Sequence, residues 1–217
     1  MRSYHCNTKL APAGILAILL LCPSMQATTI KLIGNFNWSY QGVSVGPYLA
    51  TMDGGPDISV FCMDLHLATG VNTTYSGSLS TPSTQAEEEA AFLASYSLYL
   101  GAPSSNLATI NNVEGPISMA IWQLMGTLGA TKPDPAALPY LRLAESAYFN
   151  HQISAAFLAD VTIWTPDRAG SQQRFVTAYR DDPMFQGAVP EPGTARYMGS
   201  GLLAAIGGLA IRRRSPT

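Results

Sequence analysis

The sequence predicts an α+β fold: a single β-rich domain with two or three helices and a closing β-hairpin, framed by an N-terminal signal peptide and a C-terminal transmembrane helix. Three observations lead to this prediction. Alternating, turn-rich segments fill residues 28–80, apolar stripes with helical spacing follow between residues 84 and 151, and a strand–turn–strand pattern occupies residues 160–179. No internal repeat is evident, and 217 residues are enough for one domain with a proper core.

The first 27 residues have the layout of a secretory signal peptide. Basic residues come first, an apolar run follows from Gly14 to Cys22, and small residues lead to Ala27. The run is shorter than the ~20 residues that span a bilayer. We therefore expect cleavage after Ala27, with an uncleaved anchor as the alternative. Lipid attachment at Cys22 is disfavoured because Leu21 precedes it and Pro23 follows it.

Residues 28–188 form the exported body. They include six Lys or Arg and thirteen Asp or Glu. An acidic surface repels phosphate backbones, which argues against nucleic acid as a partner. Cys6 and Cys22 belong to the signal peptide, so Cys62 is alone in the body and cannot form an internal disulfide.

The strands of the body begin with TIKLIGNF and SVGPYLATM, and MDGGPD between Met52 and Asp57 predicts a turn. ISVFCMDLHL, residues 58–67, predicts a further strand. Side chains on a strand alternate between its faces. The two faces of this strand would be Phe61, Met63, Leu65 and Leu67 on one side and Cys62, Asp64 and His66 on the other.

Helices are expected after these strands. Thr84 and Glu87 have the capping-box spacing that begins the first helix. The second helix begins at Gly115–Pro116 and ends at Gly129, and a third runs from about Tyr140 to His151. DVTIWTP and QQRFVTAY then predict the two strands of the closing hairpin.

The C-terminal segment, residues 189–217, contains an apolar stretch over 197–211 that is followed at once by an arginine cluster. A helix over this stretch rises about 22 Å, short of the ~30 Å hydrocarbon core. The arginines favour the cytoplasmic side of a membrane, so the body would lie outside. Pro190 and Pro192 hold the chain extended, which suits presentation to a protease.

In its motif, order, spacing and terminal position, this segment resembles the PEP-CTERM sorting signal of bacterial exported proteins. The resemblance implies that an exosortase, a membrane-embedded cysteine protease, recognises the Pro-Glu-Pro motif and processes the tail. The protein would then be the substrate of that protease, with a C-terminal helix as its membrane anchor before processing. The recognition residues would be Pro190, Glu191 and Pro192, and the membrane-retention residues Arg212, Arg213 and Arg214.

Within the body, GPYLATMDGGPDISVFCMDL and ISMAIWQLMG together resemble the thioester domains of bacterial surface adhesins, and VTIWTPDRAGSQQRF resembles their closing hairpin. In that family a cysteine thiol and a glutamine carboxamide condense, with loss of ammonia, to a thioester that captures amines. Cys62 stands at the position of the family's cysteine.

The glutamine of that family falls at Ser118 in this chain, and serine has no carboxamide. Gln123 lies about 140° around the helix from Ser118. We therefore expect the fold without the bond, since a thioester on Cys62 would need Gln123 or another glutamine.

Catalysis and metal binding find little support in the sequence. Cys62, Asp64 and His66 would form a row along one strand, with no separate oxyanion element and no tetrahedral cage. The turn from Asp53 to Asp57 lacks the ligand spacing of an EF-hand calcium loop. Phosphate-loop, Gly-x-Ser-x-Gly and zinc-protease motifs do not occur. We expect no catalytic residues, no metal and no cofactor.

These patterns together predict a non-catalytic protein of the cell envelope or extracellular matrix that acts by binding or structural display. Its partners would be an exosortase-type processing protease, the membrane through the C-terminal helix, and an extracellular polymer or surface ligand. A covalent adhesin with an internal thioester on Cys62 is the alternative, and an exported enzyme is a third interpretation.

Overall fold

The structure is a computed structural model that describes residues 27–34, 38–67, 69–128, 134–170, 172–179 and 185. Residues 1–26 of the predicted signal peptide lie outside the described residues. So does the sorting segment 189–217, with Pro190, Glu191, Pro192 and the arginine cluster 212–214. Among the described helices, none is both long enough and apolar enough to cross a bilayer.

A closed barrel of six antiparallel strands is the centre of the fold, with the strand order β1, β4, β5, β8, β7, β6. A two-stranded hairpin, β2–β3, forms a separate small sheet. The strands are β1 (Thr28–Gly34), β2 (Ser39–Tyr40), β3 (Val43–Ser44), β4 (Tyr48–Met52), β5 (Asp57–Cys62), β6 (Thr74–Ser80), β7 (Ile163–Pro166) and β8 (Phe175–Ala178).

The predicted alternation of β1 is confirmed. Thr28, Ile30 and Leu32 are buried, and the residues between them are half-buried. This pattern places every second side chain in the core while the backbone pairs with β4 on one side and β6 on the other. Pairing on both sides is what a barrel strand requires.

Strand β6 closes the barrel at Gly77. This residue pairs with Thr28 of β1 and with Pro166 of β7. A Cβ atom at Gly77 would lie 2.3 Å from the carbonyl oxygen of Thr165 and 2.5 Å from Cε2 of Trp164. Only glycine therefore fits where the last strands meet.

The helices pack against one side of the barrel, and the core forms between the two layers. Helix α1 contacts β8, α3 and α4. The helices are α1 (Gln85–Tyr99), α2 (Leu107–Thr109), a π-helical turn (Ile110–Glu114), α3 (Gly115–Leu124), α4 (Leu138–Phe149) and α5 (Ala155–Asp160).

The capping box predicted for α1 is confirmed. Thr84 Oγ1 accepts a hydrogen bond from Glu87 N at 3.3 Å, and Glu87 Oε2 accepts one from Thr84 N at 3.2 Å. The buried face is wider than a single stripe, because every residue in the range 89–98 is buried. Contacts with the barrel and with two other helices explain this burial.

The predicted start of the second helix at Gly115–Pro116 is confirmed, since α3 begins at Gly115 with Pro116 in its first turn, but the helix ends at Leu124, earlier than the predicted Gly129. The helical chain runs without a break over Leu107–Leu124, and Asn106 Oδ1 caps its start by accepting from Ala108 N at 2.8 Å. Gly126, with φ of +69°, follows its end and adopts the left-handed conformation that glycine favours. Gly129 is therefore not the terminator.

The third helix and the closing hairpin are confirmed. Helix α4 begins slightly earlier than predicted, and Pro139 lies in its first turn instead of before it. Strands β7 and β8 pair with each other as predicted, and they also bridge β6 to β5, so the hairpin completes the barrel. Helix α5, capped by Ser154, was not predicted.

Candidate functional site: the loop after β5 and its cleft

The strand predicted over residues 58–67 ends at Cys62, so that prediction is wrong beyond this residue. Met63 keeps one ladder bond, from its N–H to Arg174 O at 2.9 Å, and residues 65–66 form a turn. The predicted row of Cys62, Asp64 and His66 along one strand face does not form. Cys62 is buried, whereas His66 is exposed.

Asp64 explains why the strand ends here. Its carboxylate accepts three hydrogen bonds from Arg174: the backbone N to Oδ2 at 2.8 Å, Nε to Oδ2 at 3.2 Å and Nη2 to Oδ1 at 3.0 Å. The hydrogen bond to Asp64 raises the pKa of Arg174, against the opposing effect of burial. The ion pair therefore fixes residues 63–67, which we call the β5 loop, to the start of β8.

Helix α3 holds the β5 loop from another direction. Trp122 Nε1 donates to Cys62 O at 3.0 Å. Thr127 Oγ1 lies 3.1 Å from Met63 O and accepts a hydrogen bond from Leu65 N at 3.4 Å. Trp122 and Thr127, at and just after the end of α3, thus provide hydrogen-bond partners for backbone groups of the loop that β5 no longer pairs with a neighbouring strand.

The thiol of Cys62 is free and buried in this framework. It is only 3% exposed, and Sγ donates to Asp64 O at 3.0 Å. Burial raises the pKa of Cys62 to about 12. At neutral pH the side chain is therefore a thiol and not the thiolate that acts as a nucleophile.

Ser118, at the position of the family's glutamine, and Gln123, the alternative named from the sequence, both lie away from the thiol's hydrogen-bond acceptor. Ser118 is buried, and its Oγ accepts from Gly46 N at 3.3 Å. Gln123 has a buried Oε1 that makes no hydrogen bond within the described residues. Gln173 is the carboxamide that shares an acceptor with the thiol: Gln173 Nε2 and Cys62 Sγ each lie 3.0 Å from Asp64 O.

A cleft of about 280 Å³ opens beside the β5 loop. Its size is close to the lower end of the ~300–1,000 Å³ range of ligand pockets. The described residues that line it carry no charge, and they combine aliphatic groups with hydroxyl and carboxamide groups. Its walls include Val43, Ser44, Tyr48, Leu65, Leu67 and Gln173.

The remaining sequence candidates have structural roles. Asp53, in the predicted turn, accepts from Thr29 N at 2.7 Å and lies 3.1 Å from Thr29 Oγ1. Trp122 and Trp164 are buried core residues, Trp122 also lines the cleft, and Trp38 is half-buried. Within the described ranges, no group of three or more His, Cys, Asp or Glu is placed to hold a metal ion.

Sequence reasoning missed three residues that build this site: Thr127, Gln173 and Arg174. Their partners in the β5 loop lie 62 to 110 positions away, so no local spacing reveals these contacts. One signal was available for Arg174, because a basic residue in a strongly acidic body is a candidate partner for a buried carboxylate.

No protein-family model matches the chain, and comparisons with curated proteins and with solved structures find no match either.

Proposed function

We propose that this chain is an exported protein of the cell envelope or extracellular matrix, sorted through its C-terminal Pro-Glu-Pro motif. The order of features in residues 189–217 supports the sorting step: the motif at 190–192, the apolar stretch 197–211 and the arginine cluster 212–214. An exosortase-type protease would act on the motif while the C-terminal helix is in the membrane. The processed body would then reside at the cell surface or outside the cell.

In this proposal the body binds or displays and does not catalyse. The observation that supports binding over catalysis is an uncharged cleft near a thiol that burial keeps protonated. Hydroxyl, carboxamide and aliphatic groups suit a neutral, hydroxyl-rich ligand such as one residue of an extracellular polysaccharide, because they combine hydrogen bonding with apolar contact. Arg174 and Asp64 satisfy each other and stabilise the β5 loop.

The intact mass of the protein recovered from its own host tests the sorting step. A mass that begins near Thr28 and stops near Pro190–Pro192 is the expected result. A mass that still includes the arginine cluster 212–214 would show a plain membrane anchor and overturn the sorting proposal. The same spectrum reports whether Cys62 is modified.

Co-sedimentation with extracellular polysaccharide purified from the host tests the cleft. We expect the full chain, in mild detergent, to bind, and Leu67→Glu to weaken binding about tenfold because it places a charge in a neutral cleft. Phe149→Glu is the matched control, since Phe149 is 62% exposed and does not line the cleft. Equal losses in both variants, or no binding by the unmodified chain, would contradict a role for the cleft.

A covalent adhesin is the second candidate, and the position of Gln173 is the observation that favours it. A thioester would form if the sulfur of Cys62 attacked Cδ of Gln173, with the C–N bond breaking and ammonia leaving with the thiol proton. Burial of the thiol and its raised pKa oppose this step. A mass one ammonia lower, restored to an amide by methylamine and absent in Gln173→Ala, would establish the thioester.

A further inference from the structure

Glu114 is a buried carboxyl group that the proposed function does not use. Its side chain has no exposed surface, and it ends the π-helical turn between α2 and α3. Oε1 accepts from Ser104 N at 2.8 Å, whereas Oε2 is buried and has no hydrogen-bond partner among the described residues. Such turns occur frequently at functional sites.

The described residues that flank Glu114 in the chain offer no cation. Residues 100–106, α2 and α3 contain no charged side chain. Two titratable groups contact the segment: Tyr40, from β2, and Tyr140, whose hydroxyl donates to Asn112 O. Helices α1 and α4 pack against α3 and carry Glu87, Glu88, Glu89, Arg142 and Glu145, but burial and the Ser104 amide are the causes of the pKa shift of Glu114. Asp134 lies beyond Tyr40 and accepts from its hydroxyl at 2.8 Å.

This setting makes the charged form of Glu114 costly. A buried carboxylate needs a cation or several hydrogen bonds to replace its lost hydration, and the described residues give Glu114 one donor, the Ser104 amide. Burial raises the pKa of Glu114 to about 7, although the hydrogen bond from the Ser104 amide lowers it.

Glu114 is linked to the cleft through the β2–β3 hairpin. Its neighbour Gly115 is so close to Tyr40 that a Cβ at Gly115 would lie 2.2 Å from Cγ of the ring. Tyr40 pairs with Val43 across the hairpin, and Val43 and Ser44 line the cleft. A shift of the 104–115 segment would therefore reach the cleft through one aromatic contact.

We infer that Glu114 is a proton-dependent latch. As a neutral acid it keeps the 104–115 segment packed against the β2–β3 hairpin, and as a carboxylate it loosens both. The effect on ligand binding rests on the proposed function of the cleft, whereas the latch itself does not.

The direction follows from the proton balance. The closed latch binds its proton with a pKa of about 7, and a hydrated carboxyl has its ordinary value of 4.5. Between pH 4.5 and 7 the closed state therefore binds more protons than a state in which the carboxyl is hydrated. The free-energy preference for the closed state is complete below pH 4.5 and is lost as the pH rises through 7.

Hydrogen exchange of the full chain in mild detergent at pH 5.5 and pH 8 tests the latch. Each pH compares the unmodified protein with Glu114→Gln, which remains neutral, and with Asp160→Asn, an exposed control. We expect amides in 39–45 and 104–115 to exchange about tenfold faster at pH 8 in the unmodified protein and in the control than in Glu114→Gln. At pH 5.5 this difference should be much smaller. Identical behaviour of all three proteins at pH 8 would overturn the inference.

A second measurement needs no variant and covers the case in which Glu114→Gln fails to fold. Carbon-13 NMR of the carboxyl groups in the unmodified protein should show one glutamate that titrates near pH 7. Titration of every glutamate near 4.5 would reject the latch. Polysaccharide binding is measured separately at pH 5.5 and pH 8. Absence of binding at both pH values would contradict the proposed function of the cleft, but it would not affect the conclusion about the latch, which depends on hydrogen exchange.

Discussion

At the scale of single residues, neighbours decide which chemistry a side chain can perform. The thiol of Cys62 is enclosed by Trp122 and Asp64 and has lost its hydration, so the protonated form is favoured. Ser118 is engaged with a backbone amide, as a structural residue is. The same thiol in an open, basic setting would be reactive.

The raised pKa of Cys62 predicts slow labelling. In the protein recovered from its host, iodoacetamide at pH 8 should modify Cys62 only after unfolding in guanidinium, because the native thiol is both buried and protonated. Rapid labelling of the native protein, followed by intact mass, would contradict this burial. Failure to label even after unfolding would indicate a bonded sulfur.

The Asp64–Arg174 pair predicts a larger stability loss than a surface ion pair would cause. Asp64→Ala removes the acceptor of three hydrogen bonds and leaves the guanidinium partly buried, and it should lower the free energy of unfolding by about 2–3 kcal/mol. Urea unfolding measures this loss. Asp57→Ala, at an exposed position, is the control and should change the free energy by less than about 0.5 kcal/mol. Equal small changes would place the pair among ordinary surface contacts.

At the scale of elements, nearby residues determine where α1 begins, whereas a residue distant in sequence determines where β5 ends. Thr84 and Glu87 satisfy the first amides of α1 within one turn, so the start of that helix is readable in the sequence. The alternation of residues 58–67 would extend β5, but the contact of Asp64 with Arg174 turns the chain away.

The capping box predicts the effect of removing the Thr84 hydroxyl at the start of α1. Thr84→Ala should lower the free energy of unfolding by about 1 kcal/mol, because the amide of Glu87 loses its acceptor. Thermal unfolding followed by circular dichroism would detect it. Thr81→Ala, an exposed position outside the helix, is the matched control. A loss at Thr81 as large as that at Thr84 would argue against capping.

At the scale of the whole molecule, closure of the barrel depends on strands from both ends of the body. Strand β1 begins at residue 28 and β8 ends at residue 178, and both are needed to complete the ring of six. The helices between β6 and β7 cover one side of this ring. Loss of pairing between β6 and its neighbours β1 and β7, which we call the seam, should therefore destabilise the entire fold.

Gly77, at the seam, predicts this dependence. Gly77→Ala would push a methyl group into Thr165 O and the Trp164 ring, and it should cost about 3 kcal/mol or more. Gly34→Ala is the control, since a Cβ there would meet nothing within 4 Å. Urea unfolding compares the two, and similar losses would show that seam packing is not the cause.

The predictions that succeeded rely on short-range physics. Capping, the β1 alternation and the helix near residue 140 depend on residues two to four positions apart, and the pairing of the last two strands joins residues 11 to 13 positions apart across one turn. Closure of the strands into a barrel was not predicted, because a pairing such as Thr28 with Gly77 has no local signature. Helix α5 was also missed, since six residues show too little periodicity.

By itself, the sequence determined the mixed α+β class, the acidic body with its single cysteine, and the motif order on which the sorting proposal depends. Only the tertiary structure decided that Cys62 is a buried thiol, that Gln173 shares its acceptor on Asp64, and that Oε2 of Glu114 has no hydrogen-bond partner among the described residues. The physical reason is that hydration and partners set the charge and reactivity of a side chain. Both depend on residues brought together from distant parts of the chain.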